Sequence, residues 1–222
     1  MNNDRFSGFK AVVFDWSGVL MDEIEATIHA HIATIKMLGG RKISFEELSR
    51  NIGPDWRPLY VNQGIDPDKI PYVHDVYTQK YEQFFHLVQP YDGVPEMLSK
   101  LKKRGLTLAV LSNQMRKLLF KSAHKYNIIK FFDLIVTAED KEPPKPNVAA
   151  LKSVLKKLKI EPSKVIYVDD MQEAIKMGKI AKVFTIGVRS ALGQDLSIAD
   201  LQIDKVSMIT DLLVSAWPKS AS

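Results

Sequence analysis

Ala11-Val12-Val13-Phe14-Asp15-Trp16-Ser17-Gly18-Val19-Leu20 and, much further along, Val165-Ile166-Tyr167-Val168-Asp169-Asp170 are the two stretches that carry the fold class of this chain. Each is an apolar run that stops on a carboxylate, which is how a buried parallel strand delivers an acid to the carboxyl edge of a sheet. Three acids so placed, Asp15, Asp169 and Asp170, could surround one hard cation.

Between and beyond these runs the texture alternates. From Gly93 the pattern predicts a helix over 93–104, a strand over 106–111 running into Ser112-Asn113, and a further helix. A strand at 133–137, a helix at 146–159, a strand at 164–169, a helix at 171–180 and a strand at 182–187 follow. Such alternation predicts an α/β protein with a Rossmann-like parallel sheet flanked by helices, its ligands at the strands' carboxyl ends.

Residues 21–88 read differently, with no strand pattern. Ile24, Ile28, Ile32, Ile35 and Leu38 recur at helical spacing and stop at Gly39-Gly40. Ser44 with Glu47 is a capping-box pair for a short helix, and an aromatic helix is expected over about 71–88. The expected organisation is therefore a catalytic core of 1–20 and 89–222 with an all-helical insertion of 21–88, placed where it could cover the carboxyl edge.

The chain has 222 residues, 45% of them hydrophobic, enough for a folded domain plus an insertion. Lys and Arg exceed Asp and Glu by 31 − 26 = 5, a modest excess that suits an anionic ligand without calling for nucleic acid or a membrane. There is no cysteine, which removes disulfide and thiolate chemistry and fits a reducing compartment. Met1 to Lys10 lacks the apolar core of a signal peptide, so the expected location is cytoplasmic. Sequence carries no sign of the oligomeric state.

Each candidate site residue has a plain reading beside a chemical one. Asp15 at a strand tip would be a nucleophile or metal ligand, and Ser17 would still offer its backbone carbonyl to a cation; the same string also suits a simple turn. Ser112 and Asn113 place a hydroxyl and an amide where phosphate oxygens bind at a helix mouth, or Ser112 merely caps the helix. Lys145-Pro146 opens a helix, so Lys145 is either a solvated lysine or a cation awaiting an anion. Asp169-Asp170 either caps the next helix or, as adjacent repelling carboxylates, holds a cation. The four sites occur in order at four separate strand or helix mouths.

With those residues in view, the chain resembles the haloacid dehalogenase-like hydrolase superfamily. Its four motifs match Phe14-Asp15-Trp16-Ser17-Gly18-Val19-Leu20, Leu111-Ser112-Asn113, Lys145-Pro146 and Val168-Asp169-Asp170. Pro90-Tyr91-Asp92-Gly93 and Ala174-Ile175-Lys176-Met177-Gly178-Lys179 look like its supporting stretches. The resemblance implies a C1-type helical cap and a Mg2+-dependent phosphohydrolase of a small phosphorylated metabolite, working through an aspartyl-phosphate on Asp15. It implies Mg2+ held by Asp15, the Ser17 carbonyl and Asp170 with Asp169 nearby, and phosphoryl oxygens bound by Ser112 and Lys145. Within the cap, Trp56, Arg57, Tyr60 and His31 are the candidates for substrate contact. Arg57 suits an anionic tail; Trp56, Tyr60 and His31 suit cap packing better than ligand contact.

Two departures stand out. Family phosphatases usually carry Asp where Ser17 stands, as the acid that protonates the leaving oxygen and the base that activates water, a role worth about 10²–10⁴-fold. Many relatives also place an acid where this chain has Ala174, with Glu173 beside it. Three alternatives follow. A catalytically weak relative would bind a phosphorylated ligand or protein partner. A phosphonoacetaldehyde-hydrolase-like enzyme would share a first motif like Asp-Trp-Ala-Gly, but needs a cap lysine, and none lies between Lys42 and Lys69. A dehalogenase, working without metal, is the enzyme reading that fits Asp169-Asp170 least.

Overall fold

The computed structural model describes Phe6 and residues 8–53, 55–140 and 143–214; most of the amino-terminal stretch read above for a signal segment lies outside them. Two compact units share the chain, one of Met1–Leu20 with Pro90–Ser222 and one of Met21–Gln89.

In chain order the elements begin with β1 (Ala11–Phe14), β2 (Met21–Asp22), α1 (Ile24–Leu38), α2 (Phe45–Asn51), α3 (Arg57–Asn62) and α4 (Val73–Phe84). They continue with β3 (Gln89–Pro90), α5 (Val94–Lys103), β4 (Thr107–Leu111), α6 (Arg116–Lys125), β5 (Leu134–Val136) and α7 (Val148–Leu158). Last come β6 (Val165–Asp169), α8 (Gln172–Ile180), β7 (Phe184–Val188), β8 (Leu201–Ile203) and α9 (Ile209–Val214).

The first unit is built on a six-stranded sheet of order β5-β4-β1-β6-β7-β8 with every pairing parallel. Parallel strands must be covered on both faces, and all four residues of β1 are fully buried, as are Val165 to Val168 of β6. On one face Leu151 and Val154 of α7 and Ala174 and Met177 of α8 pack against Val13, Tyr167 and Ala109 in a continuous core. A fully buried aliphatic side chain of this kind contributes about 1.5–3 kcal/mol.

Register then places the acids. Phe14 lies level with Val110 of β4 and Val168 of β6, so the next residues outward are Asp15 flanked by Leu111 and Asp169. The Asp15 N–H closes the ladder on the Val168 carbonyl at 2.8 Å. Because β1 is the strand from which the order departs to either side, its tip is the topological switch point where α/β sheets bind ligands.

The second unit is helical, bounded by the two-residue strands β2 and β3, which pair with one another. Ile28 and Ile35 of α1 are buried with Leu48, Leu59, Tyr60 and Val73, while Ile24, Ile32 and Leu38 flank that core. Gly39 ends α1 at φ 86°, and the Ser44 hydroxyl accepts the Glu47 N–H at 3.1 Å to start α2.

Several elements differ from expectation. The helix expected at 146–159 starts only at Val148, because Asn147 caps it, its side chain accepting the Ala149 N–H at 2.9 Å. The Lys145–Pro146 peptide before it is cis. The helix expected over 71–88 is α4, with 3₁₀ turns at Pro67–Tyr72 and Phe85–Leu87 around it. β2, α3, β8 and α9, all of six residues or fewer, have too few residues to show a period.

Candidate active site

Four chain segments converge at the carboxyl end of the sheet. β1 delivers Asp15, β6 delivers Asp169 with Asp170 directly after it, β4 runs into Ser112, and the loop before α7 supplies Lys145. Lys145 reaches in so far that it is 4% exposed, its Nζ lying 2.7 Å from Asp15 Oδ1 and 2.8 Å from Asp169 Oδ2. It is the ammonium between two carboxylates rather than a surface lysine.

Asn113 holds that lysine in place. Its Oδ1 accepts the Lys145 N–H at 2.9 Å and its Nδ2 donates to the Lys145 carbonyl at 2.8 Å, a two-point grip on the backbone of one residue, through the peptide on either side of it. Both atoms of the amide expected to meet phosphate are thus bonded to the Lys145 backbone. Ser112, 3% exposed, stands beside it and accepts the Gln114 N–H at 3.1 Å through Oγ. Among the described residues its hydroxyl proton has no acceptor.

The vicinal pair divides its labour. Asp169 accepts Lys145 Nζ and the Tyr167 hydroxyl on Oδ2, at 2.8 and 2.5 Å, and the Met171 N–H on Oδ1 at 2.9 Å. Both its oxygens are engaged within the chain, and Oδ2 is the one that meets Lys145. Asp170 is the contrary case: 2% exposed, with an Oδ2 that has no hydrogen-bond partner among the described residues. Gly18, at φ 79°, lies so close that a Cβ there would overlap the Asp170 carboxylate. Only glycine meets both the conformation and the space.

Oxygens of Asp15, Asp169 and Asp170 all lie within 4.8 Å of one another, buried, with one ammonium to offset them. Burial and the Asp169 charge push the Asp15 carboxyl up to about 7, although Lys145 pulls the other way. Asp170 is pushed well above the usual carboxylate range by burial and then by the Asp169 and Asp15 charges. Lys145 loses hydration on burial, but the two carboxylates outweigh that and hold its ammonium above the ordinary lysine value. A cluster that is short of positive charge and holds one orphaned buried carboxylate oxygen is what a divalent cation would complete. The residues present fit Mg2+.

Ser17, half-buried, lies in the turn between Asp15 and Gly18. Ala174 is buried in the core and Glu173 is exposed. Trp56 and Arg57 belong to the helical unit. There Trp56 meets Tyr60 edge-on at 5.6 Å and His74 at 4.8 Å, and Arg57 lies over the Trp56 ring at 5.3 Å while pairing with Asp55 at 3.6 Å. His31 is buried, its Nδ1 2.6 Å from the Tyr60 hydroxyl, and burial drives its pKa down to about 3. It is a neutral core histidine.

Tyr167 is the site residue that sequence reasoning passed over. Its signal was a tyrosine inside an otherwise apolar strand, where the hydroxyl must find a buried partner. That partner is Asp169.

Comparison with known proteins gives the family and the fold. The family model for haloacid dehalogenase-like hydrolases matches residues 12–188. The pyrophosphatase PpaX of Bacillus velezensis is 30% identical over 203 residues, covering 89% of this chain and 93% of its own. The phosphoglycolate phosphatase of Aquifex aeolicus is 30% identical over 184 residues, covering 82% and 84%. Among solved structures, CbbY from Rhodobacter sphaeroides in complex with phosphate superposes with a TM-score of 0.79 at 17% identity, over 90% of this chain and 96% of that one. A haloacid dehalogenase-like family hydrolase from Streptococcus pneumoniae gives 0.78 at 17%, over 92% and 98%.

Proposed function

The chain belongs to the haloacid dehalogenase-like hydrolase family, and from that premise we propose that it hydrolyses the phosphoryl group of a small phosphorylated compound through a covalent phosphate on Asp15. One observation carries the reading: Lys145 Nζ sits 2.7 Å from Asp15 Oδ1 while a carboxylate oxygen of Asp170, without a hydrogen-bond partner among the described residues, is buried in the same cluster. The relatives named above act on pyrophosphate and phosphoglycolate by name, which supports a small phosphorylated substrate.

Asp15 supplies the attacking oxygen. Burial works against its ionised form and the adjacent ammonium of Lys145 offsets part of that, so with a pKa of about 7 the nucleophilic carboxylate is partly populated near neutral pH. Lys145 faces the phosphoryl oxygens as charge moves onto them, held by Asp169 on its ammonium and by Asn113 on its backbone. Ser112 donates its hydroxyl proton to a phosphoryl oxygen. A Mg2+ ion, held by the carboxylates of Asp15 and Asp170 and the Ser17 carbonyl, would supply neutralising charge for the phosphoryl group. Catalysis here is mainly positioning and charge compensation, the demands of phosphoryl transfer.

The test is p-nitrophenyl phosphate hydrolysis with and without Mg2+. Wild type should turn over only with the cation, and Asp15→Asn should abolish turnover while keeping the far-UV spectrum of the fold. Turnover that survives Asp15→Asn would remove the proposed nucleophile.

A further inference from the structure

We infer that this enzyme acts on activated phosphoryl groups, those of phosphoanhydrides, acyl phosphates and aryl phosphates, and that its phosphorylated Asp15 accumulates during turnover; this rests on Asp15 being the nucleophile. When Asp15 Oδ attacks phosphorus, the bond to the leaving oxygen breaks and that oxygen departs with the electron pair. A phosphate, carboxylate or phenolate can leave as the anion. An alkoxide is too basic to do so and needs a proton in the transition state.

The groups gathered around Asp15 are poor sources of that proton. The turn that wraps the site, from Asp15 to Gly18, carries Ser17, whose hydroxyl does not exchange a proton as an acid near neutral pH. Lys145 is bound to two carboxylates, and the Tyr167 hydroxyl is bound to Asp169. Asp169 is an acceptor on both oxygens, and Asp170 lies against Gly18 in the cation-holding set. Glu173 on α8 is exposed.

The same chemistry governs the second half. Water oxygen bonds to phosphorus, the bond to Asp15 breaks with its electron pair returning to the carboxylate, and one water proton passes to a phosphoryl oxygen of the departing phosphate. With no base among the described groups gathered around Asp15 to take that proton from water, this step is the slow one. For good substrates kcat is then common to all, while kcat/KM follows the leaving group.

The deciding experiment measures wild type and Ser17→Asp, with Mg2+, on acetyl phosphate, pyrophosphate, p-nitrophenyl phosphate and 2-phosphoglycolate. Wild-type kcat/KM should fall by about 10²-fold or more from the first three to 2-phosphoglycolate. Ser17→Asp should raise the 2-phosphoglycolate value by about 10²–10⁴-fold and the acetyl phosphate value by less than about ten-fold. Ser17→Asn, similar in size but without an acid, should give no such gain. Rapid quench of wild type should show a p-nitrophenolate burst approaching one per chain, with a hydroxylamine-labile phosphate on the protein. Wild type that hydrolyses 2-phosphoglycolate as readily as acetyl phosphate, or shows no burst, overturns the inference and leaves the hydrolase reading intact. Wild type inert on all four and unlabelled overturns both. Should Ser17→Asp not fold, the wild-type profile and the burst decide alone.

Discussion

Tyr167 donates its phenolic proton to Oδ2 of Asp169 at 2.5 Å, the same oxygen that receives Lys145 Nζ at 2.8 Å. The ammonium that faces Asp15 is thus aimed by a carboxylate that is itself held by a fully buried tyrosine on the same strand. Tyr167→Phe removes that hold and little else. A hydrogen bond to a charged group is worth about 1.5–3 kcal/mol, so kcat on p-nitrophenyl phosphate should fall by about 10–100-fold. The competitive inhibition constant of inorganic phosphate should rise with it, because Lys145 would no longer be presented in one geometry. A variant matching wild type in both would leave Tyr167 as packing alone.

Asn113 is expected to behave as a positioning residue. Asn113→Ala deletes both bonds to the Lys145 peptide, while Asn113→Asp keeps the acceptor for the Lys145 N–H and repels the carbonyl. Each lost bond is worth about 0.5–1.5 kcal/mol, so both variants should lower kcat/KM by about ten-fold or more with the fold retained. Steady-state kinetics beside a circular dichroism melt checks this.

Cation binding should show itself as pH-dependent stabilisation. Asp15 has a folded pKa raised from 3.8 to about 7 by burial and Asp169, so the stability it contributes is present below 3.8 and lost as pH rises through about 7. Mg2+ reverses that loss by binding the ionised form. Its stabilisation, about 2.7 kcal/mol at a hundred times its dissociation constant, should be larger at pH 8 than at pH 5, where protons compete. Thermal melts with and without Mg2+ measure it, and Asp170→Asn should abolish the shift.

The helical unit should carry an acid-sensitive element of the opposite sign. His31 has a folded pKa lowered from 6.5 to about 3 by burial, so its contribution is intact above 6.5 and is lost as pH falls toward 3. Over that window the slope approaches about 1.4 kcal/mol per pH unit. His31→Gln should flatten the fall in melting temperature between pH 6.5 and 4. An unchanged slope would mean that other groups set the acid limit.

Much of the fold was readable because its signals are local. The apolar runs ending at Asp15 and Asp169, the glycine after α1 and the Ser44 cap each announce an element within a few neighbouring residues. The short elements β2, α3, β8 and α9 were not, for each has too few residues to show a period. The start of α7 was misread because Pro146 suits a first helical position, whereas Asn147 wins as the cap.

Residue order along the polypeptide was sufficient to single out Asp15, Ser112, Lys145 and Asp170 as candidates, since each stands where a strand ends or a helix begins. It could not say that Asn113 grips the Lys145 backbone, that Asp169 serves Lys145 with both oxygens engaged, or that Tyr167 belongs to the site at all. Those assignments depend on the parallel register that sets Phe14 level with Val168 and Val110. Hydrogen-bond ladders between strands join residues far apart in sequence, and it is that pairing which brings Asp15 beside Asp169.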